Sequence, residues 1–155
     1  MIRFEVAAGL DIVRLVMTEP SVWRGITDDT CPPAESFRPL ALPSIQYVLA
    51  FDDEELLGLW MLAWQNGVTI DIHTCLLPSG RGPRGLEAAK RLAEWIWENT
   101  RCQRITTSVP AYNRLALRFA ERAGMTRFGV NEKSFLKHGK LHDQILLGLS
   151  RPEGR

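Results

Sequence analysis

The chain has 155 residues, 45% hydrophobic and 24% charged, with a formal net charge of +1; this fits one globular domain and excludes a disordered, collagen-like or membrane-spanning composition. The near-neutral total hides a polarity, because residues 1–79 carry 4 Lys+Arg against 11 Asp+Glu, a net −7, and residues 80–155 carry 15 against 7, a net +8. A uniformly basic nucleic-acid binder is thereby disfavoured, and a protein with one cationic and one anionic partner comes into consideration.

Cys31, Cys75 and Cys102 form no CxxC pair and His73, His138 and His142 no HExxH pattern, so no protein-bound metal is expected and a reducing compartment is. Glu5 and Asp11 interrupt the apolar N-terminus, and the longest apolar run, Leu56 to Trp64, falls short of the ~20 residues that span a bilayer. A cytoplasmic protein with no membrane partner is expected.

In chain order, Ile2, Phe4 and Val6 alternate with Arg3 and Glu5 as in a half-buried strand. Residues 9–26 place Leu10, Val13, Val16 and Met17 on a helical face interrupted at Pro20, which predicts one or two short helices. Residues 28–43 hold four of the nine prolines and read as a loop. Three strands follow, SIQYVLAF, LLGLWMLAW and VTIDIHTCLL, the last two joined through Asn66-Gly67, a strong hairpin signal. After the basic loop SGRGPRG, a helix is predicted over 86–99, a strand over 104–109 and a helix over 113–123 that ends at Gly124. Two strands, around 126–136 and 141–150, close the domain at residue 151, with a disordered tail over 152–155. Trp60, Trp64, Trp95 and Trp97 read as core, while Trp23 borders the proline-rich loop.

Two features could carry chemistry. Ser79 to Gly85 lies between a strand and a helix start, where free N–H groups and the helix dipole favour an anion, a diphosphate above all; a solvated surface turn is the alternative. Arg114, Arg118 and Arg122 recur at i+4 on the second long helix, either as an anion-facing row or as a solvated face relieved by Glu121.

Residues 78–130 resemble the acetyl-coenzyme A half of the GNAT superfamily of N-acetyltransferases, and the resemblance as a whole covers about residues 45–151. Arg81-Gly82 falls where the family's Q/R-x-x-G-x-G/A loop opens. Asn113, Ala116, Phe119, Gly124 and Met125 fall on its N-x-x-A-x-x-L/F-x-x-x-x-G-F pattern, and Gly139 and Asp143 fit the G-x-x-x-D closing hairpin of the ribosomal-protein and alanine acetyltransferase branch. The loop is degenerate: Arg84 stands at its usual glycine and Leu86 at its final Gly/Ala, with Gly85 restored by a one-residue shift, and Pro83 removes an N–H. Ala120 replaces the tyrosine that serves many members as general acid.

The resemblance implies an α/β (α+β) fold, a mixed, mostly antiparallel six- or seven-stranded sheet flanked by about four helices. It also implies acetyl-CoA as co-substrate, held by Arg81, Gly82, Arg84, Gly85, Leu86, Asn113, Ala116 and Phe119, with the thioester carbonyl on the N–H groups of Cys75, Leu76 and Leu77. Asp71, His73 and Cys75 share one strand face. Asp71 is the first candidate for the base and His73 the second; a purely structural polar pair is the alternative. The implied function is an acyl-CoA-dependent N-acetyltransferase acting by direct attack of a primary amine on a protein or small molecule. At pH 7 a lysine (pKa ~10.4) is neutral about once in 2,500 molecules and an α-amino group (pKa ~8) about once in ten, so deprotonation is the harder demand. A thiol leaving group makes the lost tyrosine tolerable. Dimers through the last strands are frequent in the family. Similar loop departures occur in GNAT-like proteins of tailed phages, so the alternative is a non-catalytic assembly or host-interaction factor in the host cytoplasm.

Overall fold

A computed structural model of the chain describes residues 1–154; Arg155, the end of the expected tail, lies outside the described residues. Its elements run β1 (Ile2–Val6), α1 (Asp11–Met17), α2 (Pro20–Ile26), β2 (Ile45–Asp52), β3 (Glu55–Trp64), β4 (Thr69–Leu76), α3 (Pro83–Asn99), β5 (Arg104–Pro110), α4 (Arg114–Arg122), β6 (Thr126–Lys137) and β7 (Lys140–Ser150). The seven strands form one sheet in the order β1-β2-β3-β4-β5-β7-β6. Every neighbouring pair is antiparallel except β4 and β5. This is the mixed, mostly antiparallel α/β sheet with four helices that the sequence predicts.

Strand alternation divides the interior into two cores, one on each face of the sheet. Val48, Trp60, Leu62 and Ile70 join Leu92 and Ile96 of α3 and Leu117 of α4 in one core, while Tyr47, Leu49, Leu59 and Cys75 meet Val13, Val16 and Val22 of α1 and α2 in the other. Of the tryptophans, Trp60 and Trp97 are buried and Trp64 and Trp95 half-buried.

Two boundaries have clear local causes. Pro20 begins α2 rather than interrupting one helix, and the Glu19 carboxylate accepts from Ser21 N and Val22 N to cap it. Helix α3 begins at Pro83, three residues before the predicted start, because proline suits the first helical position and its missing N–H would be unbonded there in any case.

Candidate active site

The site arises where two strands part. β4 and β5 pair in parallel at only three positions, Thr69 with Arg104, Ile70 with Ile105 and Asp71 with Thr106. Beyond them β4 stays with β3 as far as Leu76, and β5 stays with β7 as far as Pro110. At the fork Thr107 Oγ1 donates to Ile72 O at 3.0 Å, so a side chain satisfies a carbonyl that the ladder no longer reaches. The gap opens into a cavity of about 630 Å³ that runs from Arg81 and Gly82, past Asn113, Ala116 and Phe119 of α4, to α2 and the β6–β7 hairpin.

The hydrogen-bond phase of β4 decides which backbone donors face that gap. Gln65 N donates to Thr69 O and Leu77 N to Leu57 O, and the β3–β4 register is constant between these two bonds. Bonded and non-bonded pairs alternate in an antiparallel ladder, so Thr69, Asp71, His73, Cys75 and Leu77 turn their backbone toward β3, while Ile70, Ile72, Thr74 and Leu76 turn theirs toward β5. This corrects the expected donor set. Leu77 N–H is taken by Leu57 O and Cys75 is in phase with it, whereas the N–H groups of Leu76 and Thr74 turn toward the gap.

The loop after β4 is shorter than its sequence reads. A single 3-10 turn, Pro78–Gly80, leads to Arg81 and to Gly82, whose φ of 83° and ψ of −148° suit glycine alone. Leu86 N closes the first turn of α3 onto Gly82 O at 3.0 Å, which removes the Leu86 donor from the expected cradle. The N–H groups of Gly82, Arg84 and Gly85 have no bond within the described residues, as a helix N-terminus leaves them. Gly85 also lets the helix approach the turn, since a Cβ there would stand 2.3 Å from Gly80 O.

Arg81 and Arg84 point to different places. Arg81 lines the cavity, its Nε donating to Leu76 O at 3.2 Å and its Nη2 to Ser21 Oγ at 2.8 Å. Both acceptors are neutral oxygens; Glu19, held below the usual carboxylate range first by its hydrogen bond from Ser21, also feels the Arg81 charge, but no ion pair joins the two. Arg84 instead pairs with Glu55 and, at 3.5 Å, with Asp52, and donates to Ser79 O. Its side chain is committed to the β2–β3 turn, so of the expected ligand only its backbone N–H remains at the cavity end of α3.

On the opposite face of β4 three polar side chains form a chain. Asp71 Oδ1 accepts from Thr106 Oγ1 at 2.8 Å, and Asp71 Oδ2 lies 3.3 Å from His73 Nε2. The Asp71 side chain is 22% exposed and that of His73 47%, and only His73 lines the cavity. Two residues farther on, burial pushes the Cys75 thiol up to about 12; it is protonated at neutral pH and unsuited to forming a covalent acyl intermediate.

On α4, Asn113 Oδ1 caps the helix by accepting from Ala116 N at 3.2 Å. Arg114, Arg118 and Arg122 are exposed, and Glu121 pairs with Arg127 rather than relieving them. Trp23 stacks obliquely on Phe37, ring centroids 5.0 Å apart.

Sequence reasoning missed Thr106, Thr107, Ser21 and the Thr74 N–H. The last could have been found by counting back from the Asn66-Gly67 turn, which sets the phase of β4. The hydroxyl partners lie 35 to 60 residues from the groups they bond and leave no local pattern.

No protein-family model matches the sequence, and no curated protein does. Solved structures do match in shape. A spermidine N-acetyltransferase from Vibrio cholerae, in complex with CoA and spermine, superposes with a TM-score of 0.79 at 13% identity, covering 96% of this chain and 95% of that one. An acetyltransferase of the GNAT family from Streptococcus pneumoniae gives 0.72 at 17% identity over 97% and 100%, and an N-acetyltransferase from Staphylococcus aureus 0.71 at 14% over 97% of each. The fold of this chain is therefore the GNAT fold.

Proposed function

We propose that this chain, built on the GNAT fold, transfers an acetyl group from acetyl-coenzyme A to a primary amine by direct attack. The reading rests on one observation: the β4–β5 cleft has unbonded helix N–H groups and a formally unpaired arginine at one end and His73 at the other.

The first turn of α3 suits a diphosphate, with Gly82, Arg84 and Gly85 N–H as donors and Arg81 as the cation. Asn113, Ala116 and Phe119 line the adjoining wall. Leu76 and Thr74 N–H would hold the thioester carbonyl and stabilise negative charge as it develops on the oxygen. With Nε2 at Asp71, His73 has Nδ1 left to take the proton of the attacking amine. Asp71, held by Thr106, orients the imidazole and stabilises its cation. The thiol leaves as a weakly basic thiolate, so Ala120 in place of an acid is compatible with turnover. Cys75, buried and protonated, takes no part.

Isothermal titration with acetyl-coenzyme A tests the site. Binding is expected in the unaltered protein, and a loss of at least about a hundredfold when Arg81→Glu and Gly82→Trp are combined. Equal affinity in that double variant would defeat the assignment. A non-catalytic GNAT-like protein is the second reading, favoured by the pairing of Arg84 with Glu55 and by the missing donor at Pro83. Native mass spectrometry with no adduct at millimolar acetyl-coenzyme A would select it.

A further inference from the structure

The far end of the cleft, beyond His73, specifies the amine, an inference that rests on the transferase reading above. Helix α2 spans this end and is pinned at both sides. Arg81 bonds Ser21 near its start, and Lys137 of β6 donates Nζ to Arg24 O at 3.0 Å and Thr27 O at 2.6 Å near its close. Just beyond, Asp29 accepts from His138 N and Gly139 N of the hairpin turn. The segment after α2 is thus strapped to the β6–β7 hairpin, which bridges the end of the cleft where an extended peptide would have to cross.

Between the straps the walls are Val22, Gly25 and Ile26 on one side and Phe135 and Gln144 on the other. Among the described residues, the only charged or titratable side chains lining the cavity are His73, Arg81 and the buried thiol of Cys75, and none is a carboxylate. Most carboxylates on the surrounding elements already accept hydrogen bonds within the protein; Asp143 of β7 accepts from Lys133 N, and exposed Glu132 of β6 does not line the cavity. Glu19 accepts from Ser21 and Val22, Asp28 from Thr30, Asp29 from the hairpin turn and Asp71 from Thr106. A second ammonium group entering here would lose its water and find no carboxylate lining the cavity to replace it. An alkyl or aryl body would be buried against Val22, Ile26 and Phe135.

We propose that the acceptor is a small primary monoamine with an apolar alkyl or aryl body, and not a polyamine or a peptide. The one reacting nitrogen meets His73, and the body fills the space beneath α2. The GNAT fold is shared with a spermidine N-acetyltransferase, but the acceptor ends need not share a chemistry.

The experiment compares kcat/KM with acetyl-coenzyme A for butylamine, hexylamine, 2-phenylethylamine, spermidine and a lysine peptide. A rise of about tenfold or more from butylamine to hexylamine is expected, with spermidine and the peptide at least about tenfold below hexylamine. Gly25→Glu adds a carboxylate where a Cβ meets nothing within 4 Å. It should lower hexylamine turnover and raise that of spermidine, with coenzyme A affinity unchanged. Spermidine or the peptide matching hexylamine, or all five amines inert while coenzyme A binds, overturns the inference and leaves the cofactor site standing. Failure to bind coenzyme A removes the transferase reading, and this one with it.

Discussion

The β2–β3 turn and the β4–β5 cleft lie on either side of α3's first turn, and they handle charge in opposite ways. At the turn, Asp52 and Asp53 hold the Met1 ammonium, Glu54 lies 3.9 Å from Arg3, and Glu55 and Asp52 hold Arg84. Each charge there has an opposite partner, and the cluster fastens the N-terminus and α3 to the sheet. In the cleft, among the described residues, Arg81 bonds only neutral oxygens and His73 keeps one ring nitrogen free of protein partners. Charge with a partner builds structure, whereas charge without one is available to a guest. Counting residues by sequence half cannot separate the two, because four of the eleven acidic groups in residues 1–79 are in this turn, beside the loop expected to be basic and away from the amine.

The largest effect expected to break this comparison is on catalysis. His73→Ala should lower kcat by about a hundredfold, the low end for a general base, and added imidazole should restore part of it. Asp71→Ala should lower kcat by about tenfold, since it removes the orienting group and leaves the base. Neither change should alter coenzyme A affinity. If Asp71→Ala were the more damaging and imidazole rescued neither, the carboxylate itself would be the proton acceptor.

A smaller effect separates the two arginines. Arg81→Ala should weaken coenzyme A about tenfold, the loss of one hydrogen bond to a charged group. Arg84→Ala should change that affinity by less than about threefold and leave the urea midpoint nearly unmoved, as for an exposed pair. Titration calorimetry and urea denaturation read both. Equal losses of affinity would mean that Arg84 leaves the turn for the ligand.

The thiols sharpen the same contrast without any ligand. Cys31 is exposed while Cys75 and Cys102 are buried, and burial raises the latter two. A disulfide reagent at pH 8 should therefore label one thiol per folded chain and three after denaturation. Rapid labelling of Cys75 in the folded protein would show that the splayed end of β4 opens to water.

Much of the fold is legible because its signals are local. Asn66-Gly67 marks a hairpin, Leu92 and Ile96 mark a helix face, and Ile70, Ile72 and Thr74 alternate with Asp71 and His73. The cleft is less legible, since each of its decisive facts depends on a partner distant in sequence. Asp71 needs Thr106, Arg81 needs Ser21, and Arg84 is withdrawn by Glu55, 29 positions away. The donors on β4 depend on phase, so an assignment one residue off exchanges those facing β3 for those facing the gap. Even the start of α3 depended on reading Pro83 as a first helical residue rather than as part of a loop.

The smallest effect concerns two carboxylates that lie low for different reasons. Asp29, at the cleft, is held below the usual carboxylate range first by Gly139 N–H and then by His138 N–H. Asp52, at the turn, is held below it first by its hydrogen bond to the N-terminal ammonium, with Arg84 a lesser contributor. A carboxyl lowered in the folded state adds stability above its unfolded pKa of ~3.9 and loses it as the pH falls through the lower folded value. Both should therefore release in acid, Asp29 freeing the strap and Asp52 the N-terminus. Salt should distinguish them, because screening weakens attraction between exposed opposite charges but acts far less on hydrogen bonds from neutral amides. In carboxyl-detected NMR titrations between about 0.05 and 1 M NaCl, at which the Debye length falls from more than ~10 Å to about 3 Å, Asp52 should titrate higher at high salt and Asp29 should move little. Equal movement of the two would mean that the strap is held by Lys137 and its charge rather than by the backbone of the hairpin turn.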